Sequence, residues 1–172
     1  MKTVYLSLGS NRGDRAGNIA KATQAMAGRG VRVIRQSSLY ETEPVEARGG
    51  WFLNCVIEAE VDMMPRQLIN VLLAIERSLG RRRVSVAEGL KQSRTIDIDV
   101  LMFGSTVMRD PQLEIPHPRI AERRFVLVPF AEIAPELQHP LLKRTIGQLL
   151  ADTPDRSRVR KFAPSDLPPR DG

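Results

Sequence analysis

Short apolar runs along the chain predict a series of β-strands. A run of alternating or continuous apolar residues that is bounded by turn formers is typical of a strand. Such runs occupy residues 3–8, 52–61 and 95–104, and a weaker, β-branched run with broken alternation covers 31–43. Residues 105–110, which follow the turn at Gly104, are expected to return as a hairpin partner of the 95–104 strand.

Two stretches carry apolar residues at helical spacing. The first covers 14–27, with Asp14 as its N-cap and glycines after its end, and the second runs from Pro65 to Leu79 and stops at Gly80. The order is therefore strand, helix, strand, strand, helix, strand. It predicts an α+β fold, a ferredoxin-like βαββαβ sandwich with extra C-terminal strands and short helices.

The boundaries of the domain follow from changes in composition. Residues 1–152 are expected to form one domain, and the polar, Pro-rich and basic stretch 153–172 is expected to be a flexible tail. Residues 81–94 have weak periodicity and several basic side chains, so we expect an exposed loop there.

Composition narrows the class of protein. The chain has 172 residues, of which 42% are hydrophobic, as expected of one soluble domain. We recognise no signal peptide and no apolar stretch near the roughly 20 residues of a membrane span. A single cysteine, Cys55, excludes an intrachain disulfide and is expected to be buried. These features predict a cytoplasmic protein without a membrane partner.

The main chemical signal is "SRTIDIDVLMFG", residues 93–104. Side chains two apart on a strand share a face, so Asp97 and Asp99 stand together, about 7 Å apart at Cα, while Ile98 points to the other side. Two carboxylates of this kind suit Mg²⁺ in a metal–nucleotide site. The alternative is the solvent-facing polar side of an edge strand.

Basic residues flank these aspartates on both sides. The net charge of the chain is +6, and an anionic partner is plausible. Guanidinium groups bind phosphate oxygens bidentately, as a triphosphate site would need. Alternatively, the arginines neutralise the aspartates. The basic residues lie before the pair (Arg81, Arg82, Arg83, Lys91, Arg94) and after it (Arg119, Arg123, Arg124).

Several motifs together resemble one enzyme family. "SLGSNRGD", "FLN", "RTIDIDVLMFG" and "IPHPRIAERRFVLVPFAEIAPEL" occur in the order and at spacing similar to those of 6-hydroxymethyl-7,8-dihydropterin pyrophosphokinases, over roughly residues 1–140. The resemblance implies a folate-pathway enzyme that transfers pyrophosphate from ATP to the hydroxymethyl group of the pterin and releases AMP.

The resemblance also implies roles for individual residues. Asp97 and Asp99 would hold two Mg²⁺ ions. Residues implied in ATP binding and catalysis are Arg81, Arg83, Arg94, Ile98, His117 and Arg123. Residues implied in pterin binding are Phe52 and Phe125, which would stack on the ring, Asn54, which would bind its edge, and Thr42 and Val45. Read from the residues alone, Phe52 and Phe125 could be ordinary core residues, Asn54 could satisfy a loop backbone, and His117 is a turn residue rather than a zinc ligand.

The chain departs from the family pattern before the aspartates. The family loop usually has a tryptophan and a proline there, whereas "VAEGLKQSR" has neither, and Pro118 follows the histidine. We expect a functional but looser lid over 81–93. Two rival functions stay open: a divergent paralogue acting on another pterin or on none, and a basic ferredoxin-like RNA-binding module, against which the 5% aromatic content counts. We expect a monomer with small-molecule substrates and no nucleic-acid partner.

Overall fold

The structure is a computed structural model that describes residues 1–43, 50–80 and 95–163. Within these residues the strands are β1 (Lys2–Ser10), β2 (Val31–Gln36), β3 (Tyr40–Thr42), β4 (Phe52–Val61), β5 (Asp97–Phe103), β6 (Met108–Asp110), β7 (Leu113–Ile115) and β8 (Val159–Lys161). The α-helices are α1 (Arg15–Ala27), α2 (Pro65–Ser78), α3 (Arg124–Ile133) and α4 (Ile146–Asp152), and a 3-10 helix covers Ile120–Glu122.

One antiparallel sheet organises the mixed α/β fold. Its strand order is β5-β1-β4-β3-β8, and β2 also pairs with β4. Strand β1 lies between β4 and β5, and every residue from Val4 to Ser10 is buried. Burial on both faces explains why its sequence reads as a continuous apolar run rather than as an alternating one.

Helices α1 and α2 pack on one face of the sheet. The Asp14 side chain accepts a hydrogen bond from the N–H of Gly17, and α1 ends at Gly28, so the predicted start and stop are confirmed. Pro65 occupies the first turn of α2, as predicted. The core on this face joins both helices to the sheet through buried aliphatic side chains, including Ile19, Met26, Leu68, Leu72, Leu6 and Ile57.

Helices α3 and α4 cover part of the opposite face. Phe130 of α3 contacts the ring of Tyr5 with centroids 5.1 Å apart. The Tyr5 hydroxyl donates a 2.7 Å hydrogen bond to Glu58 Oε1. Burial and this carboxylate raise the pKa of Tyr5. The core on this face therefore contains a neutral phenol, that of Tyr5, between the sheet and α3.

The structure corrects two of the strand predictions and adds detail near the C-terminus. Strand β6 pairs with β7 rather than with β5, so the expected hairpin with the 95–104 strand is wrong. The weak run at 31–43 forms two strands, β2 and β3. Helix α4 and strand β8 lie near the C-terminus, where the fold prediction included extra strands and short helices without bounds, and β8 falls within the segment that is expected to be a flexible tail. The predicted loop 81–94 lies outside the described residues.

Cys55 lies on β4 and is completely buried, as predicted. Burial raises the pKa of its thiol to about 12. The thiol is therefore protonated near neutral pH and behaves as a small core residue. Among the helices that the structure describes, none is both long and apolar enough to span a membrane.

A tight loop between α3 and α4 is built around His139. This imidazole is 5% exposed, and its Nδ1 accepts hydrogen bonds from the N–H groups of Leu141 and Leu142, at 3.2 and 3.1 Å. The ring must be neutral to accept them. Burial lowers the pKa of His139 below its ordinary value of 6.5.

The first prediction concerns the dependence of stability on pH. Because the pKa of His139 is lower in the folded chain, the unfolded chain binds the proton more tightly. The contribution of neutral His139 to the free energy of unfolding is therefore complete above pH 6.5 and is lost as the pH falls below it. His139→Ala should lower the free energy of unfolding by about 1–3 kcal/mol at pH 7, because two N–H donors lose their acceptor. Urea unfolding at pH 5 and pH 7 measures both effects.

His139→Asn is the matched control for this prediction. Its side-chain oxygen can accept hydrogen bonds but does not titrate, so this variant should keep more stability than His139→Ala and depend less on pH than the original chain. Equal pH dependence of the Asn variant and the original chain would show that His139 is not the responsible group.

Candidate active site

Two predicted site residues, Asn54 of β4 and Asp97 of β5, lie in one row across the sheet. Gly9 of β1 pairs with Asp97 on one side and with Asn54 on the other, and Asn54 pairs in turn with Tyr40 of β3. Directly opposed residues of antiparallel strands share a face. Asp97, Asn54 and Tyr40 therefore project from the same face of the sheet as α3.

Asp97 and Asp99 stand on this face as predicted from their spacing. Both are half-buried, whereas Ile98 and Val100 between and after them are buried in the core on the α1 and α2 side. Asp99 lies opposite Ser7 in the next row. The two carboxylates are thus held by the edge strand β5 without entering the core.

A buried glutamate holds the backbone between the two aspartates. Glu76 of α2 is 2% exposed, and its Oε1 accepts a 3.0 Å hydrogen bond from the N–H of Ile98. The Ile98 side chain packs in the core, on the face opposite to the aspartates. Glu76 lies within the helix predicted from Pro65 to Leu79, and helical periodicity alone gives no signal for this role.

Asn54 and Thr42 form a buried polar pair beside the aspartates. Asn54 Nδ2 donates a 2.6 Å hydrogen bond to Thr42 Oγ1, and the residues are 5% and 3% exposed. A Cβ added to Gly9 would lie 2.6 Å from Asn54 Oδ1. Only a glycine therefore leaves room for the amide over β1, and a glycine inside a strand was the sequence signal that could have identified this position.

His117 lies within electrostatic range of Asp97. The main-chain N–H of His117 donates a 2.9 Å hydrogen bond to the carbonyl of Leu101. The ring Nδ1 of His117 accepts a 3.1 Å hydrogen bond from the main-chain N–H of Arg119. Burial, Arg123 and Arg119 together lower the pKa of His117, and Asp97 opposes this. Because Nδ1 is an acceptor, the neutral ring carries its proton on Nε2 and can donate from there.

Arg123 and Phe125 border an open cavity beside this row. The Arg123 guanidinium lies 5.5 Å from the centroid of the Phe125 ring. Both residues line a cavity of about 490 Å³ together with Glu43, Arg119 and Asp155. Phe125 also packs against the core cluster that contains Val56, whose strand continues on the same face with Asn54 and Phe52. Phe52 is half-buried and pairs with Thr42.

The donor set suits a hard cation that keeps other oxygen ligands. Within the described ranges, no group of three or more His, Cys, Asp or Glu side chains is arranged to hold a metal ion. Mg²⁺, however, is commonly bound by one or two carboxylates together with phosphate oxygens and water. Asp97 and Asp99 fit this mode, and a closed all-protein metal site is not needed.

Four predicted residues lie outside the described residues, namely Arg81, Arg83, Arg94 and Val45. The structure does bring together Asp97, His117 and Arg123 from three different segments. It places Thr42, Phe52 and Asn54 in adjacent positions of β3 and β4. The roles of all these residues remain predictions, and the geometry supplies the arrangement on which they depend.

Comparisons with known proteins give a consistent result. Residues 5–135 match the family model described as 7,8-dihydro-6-hydroxymethylpterin-pyrophosphokinase (HPPK). The chain is 42% identical over 139 residues to the 2-amino-4-hydroxy-6-hydroxymethyldihydropteridine pyrophosphokinase of Methylorubrum extorquens, covering 80% of this chain and 85% of the relative. It is 39% identical over 142 residues to the enzyme of the same name from Porphyromonas gingivalis, covering 81% and 95%.

Solved structures match the fold. The crystal structure of wild-type Plasmodium falciparum HPPK-DHPS with pteroate superposes with a TM-score of 0.69 at 15% identity. The match covers 87% of this chain and 44% of that chain, so the present chain spans less than half of that protein. At this identity the likeness concerns the fold alone.

The second prediction tests the close approach of Gly9 and Asn54. Gly9→Ala should force the buried Asn54 amide away from Thr42 and lower the free energy of unfolding by about 1–3 kcal/mol, as overpacking usually does. Urea unfolding measures this change. Gly28→Ala is the control, because its added Cβ would lie 3.8 Å from the Ala25 carbonyl oxygen, an ordinary contact. If Gly9→Ala is as stable as this control, the amide does not occupy the described position.

Proposed function

The chain belongs to the 7,8-dihydro-6-hydroxymethylpterin-pyrophosphokinase family, and we propose that the face around Asp97, Asn54 and Phe125 carries its activity. That activity is the ATP-dependent transfer of pyrophosphate to the hydroxymethyl group of 6-hydroxymethyl-7,8-dihydropterin, a step of folate biosynthesis. AMP is the other product. The comparisons support neither a paralogue with another substrate nor an RNA-binding module.

The observation that carries the proposal is the row formed by Asp97, Gly9 and Asn54. It places an acidic edge and a buried amide side by side on one face of the sheet, separated by a residue without a side chain. A phosphate-bearing nucleotide with its metal suits the acidic side, and a flat heteroaromatic ring with polar edges suits the amide side. The reacting hydroxymethyl group would then lie between them.

Asp97 and Asp99 would hold Mg²⁺, and we propose two ions. Bound there, Mg²⁺ would neutralise the charge of the ATP phosphates. The protein contributes the placement of the two carboxylates. Pairing with β1 and the Glu76 bond to Ile98 keep them on the face of the sheet that carries α3. Carboxylates held in this way need little reorganisation when ligands bind.

The pterin ring would stack between Phe52 and Phe125. Stacking suits a flat heteroaromatic ring, and its donor and acceptor edge requires fixed polar partners. The Asn54 amide is oriented by its bond to Thr42, so it can present its remaining polar atoms in one direction. The main chain of the segment that contains Thr42 and Val45 would contact the same ring.

The ATP phosphates would bind cationic and hydrogen-bonding groups around His117 and Arg123. His117 is neutral near pH 7 because its pKa is lowered, and its Nε2 proton can be donated to a phosphate oxygen. Arg81, Arg83 and Arg94 would add guanidinium contacts, and the main chain at Ile98 would border the nucleotide. Catalysis by these residues is positioning and charge neutralisation without a covalent enzyme intermediate.

Four broader assignments accompany this proposal. The sheet order β5-β1-β4, with β2 and β3 on the far side of β4, supports classifying the fold as ferredoxin-like. We also propose a cytoplasmic monomer that does not bind nucleic acid. Size-exclusion chromatography with light scattering would measure the oligomeric state.

The third prediction concerns the paired carboxylates. Asp97→Asn and Asp99→Asn should each lower Mg²⁺-dependent AMP release by at least about 100-fold, because one charged metal ligand is lost. The fold should persist, since neither side chain enters the core. Asp62→Asn, an exposed aspartate in the turn before α2, is the control and should retain full activity. Near-normal turnover of both variants would contradict the assignment.

The fourth prediction concerns Phe125. Phe125→Ala should weaken pterin binding by about 1–3 kcal/mol through lost stacking, and should weaken binding of a non-hydrolysable ATP analogue less. Isothermal titration calorimetry of each ligand separates the two effects. Equal losses for both ligands would show that Phe125 is a core residue rather than a wall of the ring site.

A further inference from the structure

The C-terminal segment, residues 155–161, contacts both walls of the proposed ring site. One wall contains Phe125 at the start of α3, and the other contains Thr42, Phe52 and Asn54 on β3 and β4. Asp155 and Ser157 line the open cavity together with Phe125 and Arg123. None of the residues implied by the family resemblance lies in this segment.

Asp155 holds the α3 wall. Its Oδ2 accepts a 2.8 Å hydrogen bond from the N–H of Arg124, the residue immediately before Phe125. Its Oδ1 accepts a 2.9 Å bond from the N–H of Ser157, which orients the carboxylate. Burial raises the pKa of Asp155, but the bonds from Ser157 and Arg124 outweigh it and lower the pKa. Asp155 is therefore ionised and fixes the main chain that carries Phe125.

Strand β8 holds the β3 wall. Val159 pairs with Thr42, and Arg160 pairs with Glu41. Beyond the strand, the N–H of Arg158 donates a 2.7 Å bond to Glu43 Oε1, and the N–H of Glu43 donates a 3.3 Å bond to the carbonyl of Arg158. The main chain at Thr42 is thus fixed on one side by β4 and on the other by β8.

An ion-pair hub at Glu41 connects β8 to the start of β4. Arg160 donates to Glu41 Oε2 through Nε and Nη2, at 3.0 and 2.7 Å, and Arg15 Nη2 donates to Oε1 at 3.1 Å. Arg15 Nη1 also donates to the carbonyl of Trp51, and the Arg160 guanidinium lies 4.9 Å from the Trp51 ring centroid.

The hub fixes the chain on both sides of Phe52. The carboxylate of Glu41 is only 15% exposed. Burial raises its pKa, but the hydrogen bonds from Arg160 and Arg15 outweigh this and lower it. Since Trp51 precedes Phe52 and Glu41 precedes Thr42, the hub restrains both strands of this wall from the face opposite to the ring site.

We propose that Asp155 and Arg160 are positioning residues for pterin binding, acting through the main chain of Phe125 and through Glu41, respectively. The inference rests on the proposed ring site. The C-terminal segment bridges the two walls, so it sets their separation before the ring enters. Asp155 acts on the main chain before Phe125 and Arg160 acts on Glu41, so both should weaken pterin binding more than binding of the ATP analogue.

The test compares ligand binding by two variants and two controls. In calorimetry with a non-hydrolysable ATP analogue and Mg²⁺ present, Asp155→Ala and Arg160→Ala should each raise the dissociation constant of 6-hydroxymethyl-7,8-dihydropterin about threefold to tenfold, because the released wall must be ordered again when the ring binds. The dissociation constant of the ATP analogue should change by less than about twofold. In turnover assays the KM for the pterin should rise more than kcat falls.

Two surface residues of the same types provide the controls. Asp152→Ala removes an aspartate that pairs with Arg144 at the end of α4, and Arg32→Ala removes an arginine that pairs with Glu60 on the far end of β4. Both should leave both ligand affinities unchanged. Arg160→Lys keeps the charge but not the forked donor, so its pterin affinity should fall between those of Arg160→Ala and the original chain.

The outcomes separate this inference from the proposed function. Binding of the ATP analogue also reports that each variant is folded. If Asp155→Ala and Arg160→Ala leave pterin affinity unchanged, or weaken both ligands equally, the positioning role is wrong. Phe125→Ala, measured in parallel, tests the ring site itself, so a selective loss in Phe125→Ala with none in the other two variants overturns only the role of the C-terminal segment.

Discussion

The pairing of β1 with β4 on one side and β5 on the other is the constraint on which the rest of the site depends. It aligns Asp97 with Gly9 and Gly9 with Asn54, so residues more than 40 positions apart along the chain meet in one row. Because side chains alternate between faces, a shift of one residue in either pairing would turn the aspartates or the amide into the core beneath α1 and α2. The buried apolar side chains of β1 oppose such a shift.

Long elements with regular patterns were predictable from sequence. Strand β4 and helices α1 and α2 follow the expected residues closely, because each has a single strong periodicity and clear end signals. Strand β8 was not predictable, because three residues rich in Arg and Lys carry no apolar pattern and depend on β3 for their hydrogen bonds. The β6 pairing was mispredicted, because adjacency along the chain favoured β5 whereas the structure uses β7.

The candidate site shows the same division between local and distant signals. The spacing of Asp97 and Asp99 is a local property and indicated their shared face. The roles of Glu76 and Asp155 arise from contacts with residues distant in sequence, so no pattern within their own segments distinguishes them. The arginines have different surroundings that their sequence does not reveal. Arg15 and Arg160 bind Glu41, whereas Arg123 borders the cavity. The net charge alone could not separate structural cations from those that face a ligand.

The bond between Glu76 and Ile98 has a consequence for self-association. Strand β5 forms one edge of the sheet, and an unpaired edge can template pairing with another chain. At the centre of the Asp97–Asp99 stretch, the outward N–H is already occupied by a buried carboxylate from α2. An incoming strand would have to displace that carboxylate and approach two further acidic side chains. The contact that holds the Asp97–Asp99 stretch in place therefore also opposes strand addition at this edge and the aggregation that would follow.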